Sequence, residues 1–272
     1  MSDRLGVCTW SLQPESPTDL AEKLGAVGVD FAQLALEPVR SGAWTFEETV
    51  VRIAQTGVEL VSGMMEMVGE DYSTLESIQE TGGVRPDATW EANLRAAEEN
   101  AKLARRFSLE LVSFHAGFLP HERGDAERTK MIERLRQLVD VFADVGIEVA
   151  FETGQESAST LLGVLEELDR PDVGVNFDPA NMILYGMGDP IPSLKQLAPC
   201  VRQVHIKDAT ATNTPGTWGE EVVVGTGEVD WSAFLATLEA DCPVDQMIER
   251  EAGDARVADI LEARRVITEL SP

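Results

Sequence analysis

The sequence predicts one α/β domain over residues 1–272, folded as a single (β/α)₈ (TIM) barrel. Three observations support this fold class: eight short apolar runs recur, each precedes an amphipathic, helix-like stretch, and the chain length gives each unit a suitable average size. Eight such units in 272 residues correspond to about 34 residues each, the size of one strand–helix unit. The runs are mostly continuously apolar, as in parallel strands that are covered on both faces. They cover residues 5–8, 31–36, 58–64, 109–115, 145–153, 173–177, 201–207 and 245–249.

Helix start signals lie between these runs. Residues 16–19 (Ser-Pro-Thr-Asp) offer an N-cap with proline at the first helical position, and residues 45–48 have the spacing of a capping box. Asp189-Pro190 and Asp230-Trp231 repeat the N-cap pattern later in the chain. Residues 131–142 place their apolar side chains on one helical face. These signals predict helices in the intervals between the strands.

Two intervals are longer than the others, and we predict that both form rim or lid loops. Residues 66–88 follow the third strand and residues 208–230 follow the seventh, and both contain several glycines or prolines. Loops after the strands emerge at the C-terminal face of a barrel, where barrel enzymes carry their chemistry. A doubly wound open sheet is the alternative fold, but the segment GVCTWS (6–11) of the first strand lacks the GxGxxG pattern.

The charge balance argues against polyanionic partners. The chain has 48 acidic and 22 basic residues, for a formal net charge of −26, and the acidic residues are spread along its whole length. Such a surface repels phosphate backbones and anionic lipids, so we expect no nucleic-acid partner and no membrane partner. Acid-rich, lysine-poor surfaces suit proteins that stay soluble at high salt. We therefore predict a salt-adapted protein, with an ordinary acidic enzyme as the alternative.

The sequence also lacks the signals of membrane insertion, export and disulfide bonding. No apolar stretch approaches the roughly 20 residues that a membrane span needs. The first ten residues, MSDRLGVCTW, do not have the basic-then-apolar layout of a secretory signal. Cys8, Cys200 and Cys242 are scattered and have no CxxC spacing, so neither a disulfide framework nor a zinc knuckle is indicated. We expect a cytoplasmic protein.

Polar side chains stand at the C-terminal ends of four consecutive predicted strands. They are Glu152, Asp178, His205 and Glu249, which end strands five to eight. Each alone has an ordinary explanation as a cap, a turn residue or a core histidine, but their matching positions favour a common site at one mouth of the barrel. Three carboxylates and one imidazole suit a divalent cation, which relieves the repulsion between the carboxylates. We expect Mn²⁺ at this metal site, with Mg²⁺, Co²⁺ or Zn²⁺ as alternatives.

Two basic side chains near these strand ends are candidate substrate contacts. His115 ends strand four and faces the same mouth, where it would bind substrate or relay a proton, with a core position as the alternative. Lys207 shares the face of His205 because side chains alternate along a strand. It would bind a phosphate or a hydroxyl of the substrate, or form an ion pair with Asp208 or Glu249.

Several other residues are weaker candidates for the binding pocket. Glu156 would hydrogen-bond a sugar hydroxyl, with a surface position at the next helix start as the alternative. Arg250 is a substrate-binding candidate whose direction is left open by bending at the strand end. Trp10, Met64 and Glu66 would form walls of the pocket, and Trp10 and Met64 could equally belong to the core.

Five segments in the second half of the chain carry a family resemblance. They are FETGQE (151–156), NFDPAN (176–181), VHIKDA (204–209), GTGEVDW (225–231) and IEREAG (248–253). In order and spacing they resemble the xylose-isomerase-like TIM barrels, which are metal-dependent sugar and sugar-phosphate isomerases and epimerases. The resemblance implies a divalent metal held by the same four strand-end residues. It also implies that Glu152 and Glu249 flank the substrate and exchange roles as catalytic base and acid.

The chemistry implied by this resemblance is proton transfer next to a carbonyl. The cation polarises the carbonyl of a ketose and stabilises the enediolate that forms when the adjacent C–H proton leaves. Return of the proton to the other face inverts a stereocentre, whereas return to the neighbouring carbon interconverts aldose and ketose. Many ketose epimerases of this family carry a substrate-binding histidine a few residues after the metal-binding aspartate. Here Asn181 takes that place, and it can bind a hydroxyl but cannot transfer a proton at neutral pH.

The sequence thus predicts a metal-dependent isomerase or epimerase of a sugar or sugar phosphate, acting on a small-molecule carbohydrate. One alternative is a metal-dependent lyase or dehydratase acting on a keto-sugar or keto-cyclitol, and a second is a non-catalytic sugar-binding barrel. A multi-zinc nuclease of abasic DNA is disfavoured because the chain has three histidines and a net charge of −26. Members of the superfamily often form homo-oligomers, but no pattern in the sequence identifies an interface.

Overall fold

A closed barrel of eight parallel strands forms the centre of the protein. The computed structural model describes residues 4–214 and 216–271. In chain order the strands are β1 (Leu5–Cys8), β2 (Phe31–Ala35), β3 (Glu59–Met64), β4 (Leu111–Phe114), β5 (Glu148–Glu152), β6 (Val173–Phe177), β7 (Val201–Ile206), β8 (Asp208–Thr210), β9 (Glu220–Val222) and β10 (Asp245–Ile248). The barrel order is β1-β10-β7-β6-β5-β4-β3-β2, and β8 and β9 form a separate antiparallel pair. The predicted fold class is confirmed.

Helices alternate with the barrel strands. They are α1 (Pro17–Val27), α2 (Glu37–Arg40), α3 (Phe46–Thr56), α4 (Leu75–Thr81), α5 (Asp87–Arg106), α6 (Ala126–Ala143), α7 (Ala158–Leu168), α8 (Pro179–Leu184), α9 (Pro190–Leu197), α10 (Trp231–Asp241) and α11 (Arg256–Leu270). The predicted N-caps are confirmed, because each of these side chains accepts a hydrogen bond from a backbone N–H in the first turn of its helix. They are Ser16, Thr45, Asp189 and Asp230.

The apolar core lies between the barrel and the helices. The helical face predicted in residues 131–142 is buried along α6. Phe114 of β4 packs edge-on against Phe151 of β5, with ring centroids 5.5 Å apart. Phe177 of β6 packs against Phe234 of α10 at 6.1 Å. This close packing restricts movement of the strands, so the polar residues at the strand ends are held in fixed relative positions.

The barrel interior also holds a polar set that the sequence analysis did not single out. Its members are Gln33, Ser62, Ser113, Asn176 and Gln203, and each is at most 1% exposed. Gln33 and Gln203 lie on β2 and β7, which are not neighbours in the barrel, yet Gln203 Nε2 donates to Gln33 Oε1 at 2.9 Å. The hydrogen bond therefore crosses the interior of the barrel.

The two long loops carry regular structure of their own. The loop after β3 contains α4, which begins with a capping box formed by Thr74 and Ser77. The loop after β7 contains the β8–β9 pair. Within the described residues, none of the helices combines the length and apolar content needed to cross a membrane.

The loop after β7 is attached to the barrel through Asp208. The Asp208 carboxylate is 1% exposed and accepts hydrogen bonds from the backbone N–H groups of Gly225, Gly227 and Val229 and from the indole of Trp231. A Cβ atom at Gly227 would lie 2.2 Å from Asp208 Oδ1. Only glycine therefore allows the loop backbone to approach this carboxylate so closely.

Candidate metal centre

Four potential ligand atoms converge at the C-terminal ends of four adjacent barrel strands. The residues are Glu152 at the end of β5, Asp178 directly after β6, His205 on β7 and Glu249 directly after β10. One ligand-type atom from each lies within 4.8 Å of the others. All four side chains are at most 3% exposed. The structure thus brings together the four residues that the sequence analysis placed in one site.

Neighbouring groups fix the orientation of each carboxylate. Asn181 donates twice: its Nδ2 reaches Glu152 Oε1 at 2.9 Å, and its backbone N–H reaches Asp178 Oδ1 at 3.0 Å, where Asp178 caps α8. Glu249 accepts from Trp10 Nε1 at 2.8 Å through one oxygen. Its other oxygen accepts from Lys207 Nζ at 2.9 Å. The carboxylates are therefore held in place before any ligand binds.

Three ligand-type atoms of the cluster lack hydrogen-bond partners among the described residues. They are His205 Nδ1, Glu152 Oε2 and Asp178 Oδ2, and all three are buried. His205 Nδ1 lies 3.3–3.7 Å from the nearest carboxylate oxygens of Glu152, Asp178 and Glu249. Buried polar atoms are nearly always paired, so three unpaired atoms within one cluster of carboxylates and imidazole fit a divalent cation with oxygen and imidazole ligands.

The charges in the cluster compensate one another. Burial opposes ionisation of Glu249, but His205 and Lys207 outweigh burial and hold the pKa of Glu249 well below its ordinary value. Burial likewise opposes protonation of His205, yet Cys8 and the carboxylates of Glu249 and Glu152 raise its pKa well above the ordinary value. At Asp178 burial prevails, and its pKa is raised. The cluster holds an excess of carboxylates for its size, which is the electrostatic condition that favours a cation.

A cavity of about 660 Å³ reaches the cluster at Glu249, whereas Glu152, Asp178 and His205 are not part of its lining. Its aromatic walls are Trp10, Tyr72, Tyr185 and Trp218. Tyr185 packs edge-on against Trp218, with ring centroids 5.0 Å apart. The carboxylates that line it are Glu37, Glu66, Glu70, Glu221, Glu249 and Glu251. Both predicted rim loops contribute to this lining, Tyr72 from the first and Trp218 from the second.

Most of the predicted substrate contacts line this cavity. His115, Asn181 and Trp10 do so, together with Met64 and Glu66. His115 Nε2 lies 3.7 Å from Glu152 Oε1. These side chains are therefore placed where the sequence analysis expected them.

Lys207 also lines the cavity. Its contacts favour the ion pair with Glu249 over binding of a substrate phosphate or hydroxyl. Its Nζ is 2.9 Å from Glu249 Oε2 and 2.6 Å from Glu251 Oε2. Asp208, the other predicted partner, instead accepts hydrogen bonds from the loop after β7. Two bound carboxylates leave Lys207 little capacity to attract a further anion.

Two of the predicted substrate contacts, Arg250 and Glu156, are not among the residues that line the cavity. The Arg250 guanidinium is engaged by Glu221 at 2.8 Å and by Asp259 at 3.0 Å, because side chains alternate and Glu249 occupies the inward position. Glu156 is buried, at 5% exposed, but it is not part of the cavity wall.

Some cavity residues were not predicted from the sequence. Glu251 follows Glu249 by two residues, so strand alternation could have placed it on the same face. Tyr72 and Trp218 stand in the predicted rim loops, but loop residues have no periodicity from which a direction can be read. Tyr185 follows α8, and no sequence pattern pointed to it.

A closed parallel barrel with a carboxylate–histidine cluster at the C-terminal ends of its strands has the architecture of the TIM-barrel enzymes. The family described as xylose isomerase-like TIM barrel matches residues 18–269, and the chain belongs to this family. A xylose isomerase domain protein from Planctomyces limnophilus superimposes with a TM-score of 0.85 at 30% identity, over 92% of this chain and 91% of that chain.

Two further proteins are similar to the chain, one in part of its sequence and one in its fold. The uncharacterized protein YihM of Escherichia coli (strain K12) is 33% identical over 101 residues, which is 36% of this chain and 31% of that protein. The 3-keto-D-glucoside 4-epimerase YcjR of E. coli has a TM-score of 0.73 at 15% identity, over 98% of this chain and all of that chain. At that identity the likeness to the epimerase shows the shared fold.

Proposed function

We propose that the protein is a divalent-metal-dependent isomerase or epimerase of a carbohydrate that carries a carbonyl next to a hydroxyl. The observation that carries this proposal is the buried cluster of Glu152, Asp178, His205 and Glu249, in which three residues have an unpaired polar atom. Glu249 joins this cluster to the cavity. These four residues would hold the cation, for which we favour Mn²⁺. When bound, the cation would polarise the carbonyl and stabilise negative charge on the neighbouring oxygens.

Glu152 and Glu249 are the proposed proton-transfer groups. They lie on β5 and directly after β10, so two strands, β6 and β7, separate them around the barrel. A substrate seated between them would present opposite faces to the two carboxylates. One would take the C–H proton next to the carbonyl and the other would return a proton from the opposite side. His115, 3.7 Å from Glu152, is placed to stabilise the charge of that carboxylate.

The cavity lining favours an uncharged substrate over a sugar phosphate. Among the described residues that line it, Lys207 and His115 are the side chains able to carry positive charge, whereas six carboxylates face the same space. Lys207 is already bound by Glu249 and Glu251. Like charges brought together in a binding site cost several kcal/mol. Aromatic walls and carboxylate acceptors suit the apolar faces and the hydroxyl groups of a neutral sugar.

The 3-keto-D-glucoside 4-epimerase of E. coli supports this reading, since its fold carries an epimerase acting on a keto-sugar derivative. The lyase alternative uses the same cation and base but expels a group from the neighbouring carbon. It is separated from isomerisation by the mass of the product.

The test is metal analysis combined with solvent deuterium exchange. The wild-type protein, loaded with Mn²⁺, is incubated in D₂O with a panel of ketoses, keto-glycosides and their phosphates. We expect about one bound cation per chain and deuterium at the carbon next to the carbonyl of an uncharged substrate. Glu152→Gln and Glu249→Gln should each slow exchange by about 10²–10⁴-fold, because a proton-transfer group is lost.

Glu148→Gln is the matched control, since Glu148 lies at the opposite end of the same strand as Glu152 and pairs with Arg202 on the outside. It should exchange deuterium at the wild-type rate. Absence of both bound cation and exchange with every substrate would rule out the enzyme. Exchange accompanied by loss of water or of an aglycone would assign a lyase instead.

A further inference from the structure

The polar set inside the barrel leads directly to the candidate metal centre through Gln33. Gln33 lies on β2, on the side of the barrel away from the ligand-bearing strands, and is 0% exposed. Its Oε1 lies 2.8 Å from Nε2 of His205. This is the ring nitrogen that faces away from the carboxylates, because Nδ1 faces them. Gln33 therefore contacts the one neutral ligand of the site from behind.

The orientation of the Gln33 amide is fixed by the backbone. Its Nε2 donates to the carbonyl oxygen of Gly63 at 3.3 Å and to Ser113 Oγ at 2.7 Å. A backbone carbonyl can only accept a hydrogen bond, so the amide nitrogen must face Gly63 and the amide oxygen must face His205. Gln203 Nε2 donates to the same oxygen at 2.9 Å, which agrees with this assignment.

A fixed acceptor beside Nε2 determines which nitrogen of neutral His205 carries the proton. Nε2 must donate to Gln33 Oε1, and Nδ1 is then left with its lone pair directed toward the carboxylates. Asn176 Nδ2 also lies 2.9 Å from Nε2, and the Nε2–H form requires the Asn176 amide to be turned so that its oxygen faces the ring. Its other contact, with Gln203, is long at 3.4 Å and does not fix which end of its amide is oxygen. Gln33 thus sets the tautomer, and Asn176 can adapt to it.

We propose that Gln33 is a positioning residue that holds His205 in the Nε2–H form, so that Nδ1 is presented as a ligand for the cation. This inference rests on the proposed function, because it assigns a role within the same metal site. Partners of the remote ring nitrogen of a metal-binding histidine generally fix its tautomer and its ring orientation, and their loss typically weakens metal affinity 10–100-fold.

The first test reads the tautomer in the wild-type protein. The chain has three histidines, so a long-range ¹H–¹⁵N spectrum of ¹⁵N-histidine-labelled protein can assign each ring. With diamagnetic Zn²⁺ as the probe, we expect a directly bonded proton on Nε2 of His205 and a Zn²⁺-induced shift at Nδ1. A proton on Nδ1, or Zn²⁺ coordination through Nε2, would overturn the inference. This measurement needs no variant and no turnover.

The second test measures Mn²⁺ affinity by calorimetry. Gln33→Met removes the acceptor while keeping similar volume, and we expect affinity to fall by about 10–100-fold. Ser113→Ala removes a different hydrogen bond of Gln33 but leaves the Gly63 carbonyl to orient the amide. Its Mn²⁺ affinity, measured in the same way, should stay within about threefold of that of the wild type.

The outcomes separate the two proposals. If wild type binds no Mn²⁺, the proposed function fails and this inference fails with it. If wild type binds Mn²⁺ but Gln33→Met, shown to be folded by its spectrum, binds equally well, the inference fails while the proposed function stands. Equal losses in Gln33→Met and Ser113→Ala would also count against it, since they would indicate general loosening of the barrel interior.

Discussion

The Asp208 carboxylate is the main attachment of the loop after β7, and Asp208→Asn should release that loop. Asp208 Oδ1 accepts from the backbone N–H groups of Ala209 and Val229. Oδ2 accepts from those of Gly225 and Gly227 and from Trp231 Nε1. Asparagine replaces one of these acceptors by an NH₂ group. Whichever way the new amide is oriented, at least two buried donors then face another donor.

The expected cost follows from those lost hydrogen bonds. A buried donor left without an acceptor costs about 1–3 kcal/mol, so two of them cost about 2–6 kcal/mol, with a central value of about 4 kcal/mol. The loss is local, because the affected donors belong to residues 209–231. By the relation of about 1.4 kcal/mol per tenfold change, 4 kcal/mol corresponds to roughly a thousandfold loss of protection against opening.

Hydrogen exchange measured residue by residue is the appropriate assay. The amides of Gly225, Gly227 and Val229 should lose protection by about 10²–10³-fold in Asp208→Asn, while amides of the barrel strands change far less. Asp230→Asn is the matched control, because it makes the same chemical change in the same segment. Asp230 caps α10 through one hydrogen bond to Ala233, and asparagine is an equally good cap. Equal protection in the two variants would refute the reasoning.

Three further predictions concern titration, metal binding and salt. Burial raises the pKa of Glu156 to about 8 from an ordinary 4.5, so the folded state binds this proton more tightly and the free energy of unfolding falls as pH rises between those values. Glu156→Gln should therefore be more stable than wild type by about 5 kcal/mol in urea unfolding at pH 9 and equal to it at pH 4. A difference independent of pH would contradict this. Mn²⁺ at about 100 times its Kd should raise the free energy of unfolding by about 2.7 kcal/mol, measured by thermal denaturation. Asp178→Asn should abolish this increase. An unchanged increase in that variant would mean that the cation binds elsewhere. The melting temperature should rise with KCl concentration, because screening relieves repulsion within a chain of net charge −26; a flat or falling curve would disprove salt adaptation.

The sequence predicted the barrel and the ligand cluster for the same reason. Parallel strands buried on both faces are visible as continuous apolar runs, and a polar residue that ends such a run is conspicuous. Glu152 and Glu249 were found in this way, since barrel closure places all strand ends at one mouth. Residues whose position follows from strand order and alternation were therefore accessible without coordinates.

Other parts of the site depend on side-chain directions that strand order does not determine. Arg250 was left open in the sequence, and only the structure shows its guanidinium held by Glu221 and Asp259. The aromatic wall formed by Tyr72 and Trp218 depends on how two loops fold over the mouth. Gln33 stands in a mostly apolar run, and its role depends on a contact across the barrel with β7 that no local pattern encodes.

The order of strands around the barrel separates the metal-site residues and one wall of the cavity into different halves of the chain. The four ligand-bearing strand ends are neighbours, in the arc β5-β6-β7-β10, and they come from one uninterrupted stretch of chain, residues 148–249. The opposite arc, β1 to β4, belongs to the N-terminal part and supplies one wall of the cavity. A hybrid with a foreign N-terminal half should therefore keep the proposed metal site and exchange one wall of the cavity, provided that Trp10 and Gln33 are kept. These two side chains are the hydrogen-bonded links from that half to Glu249 and His205.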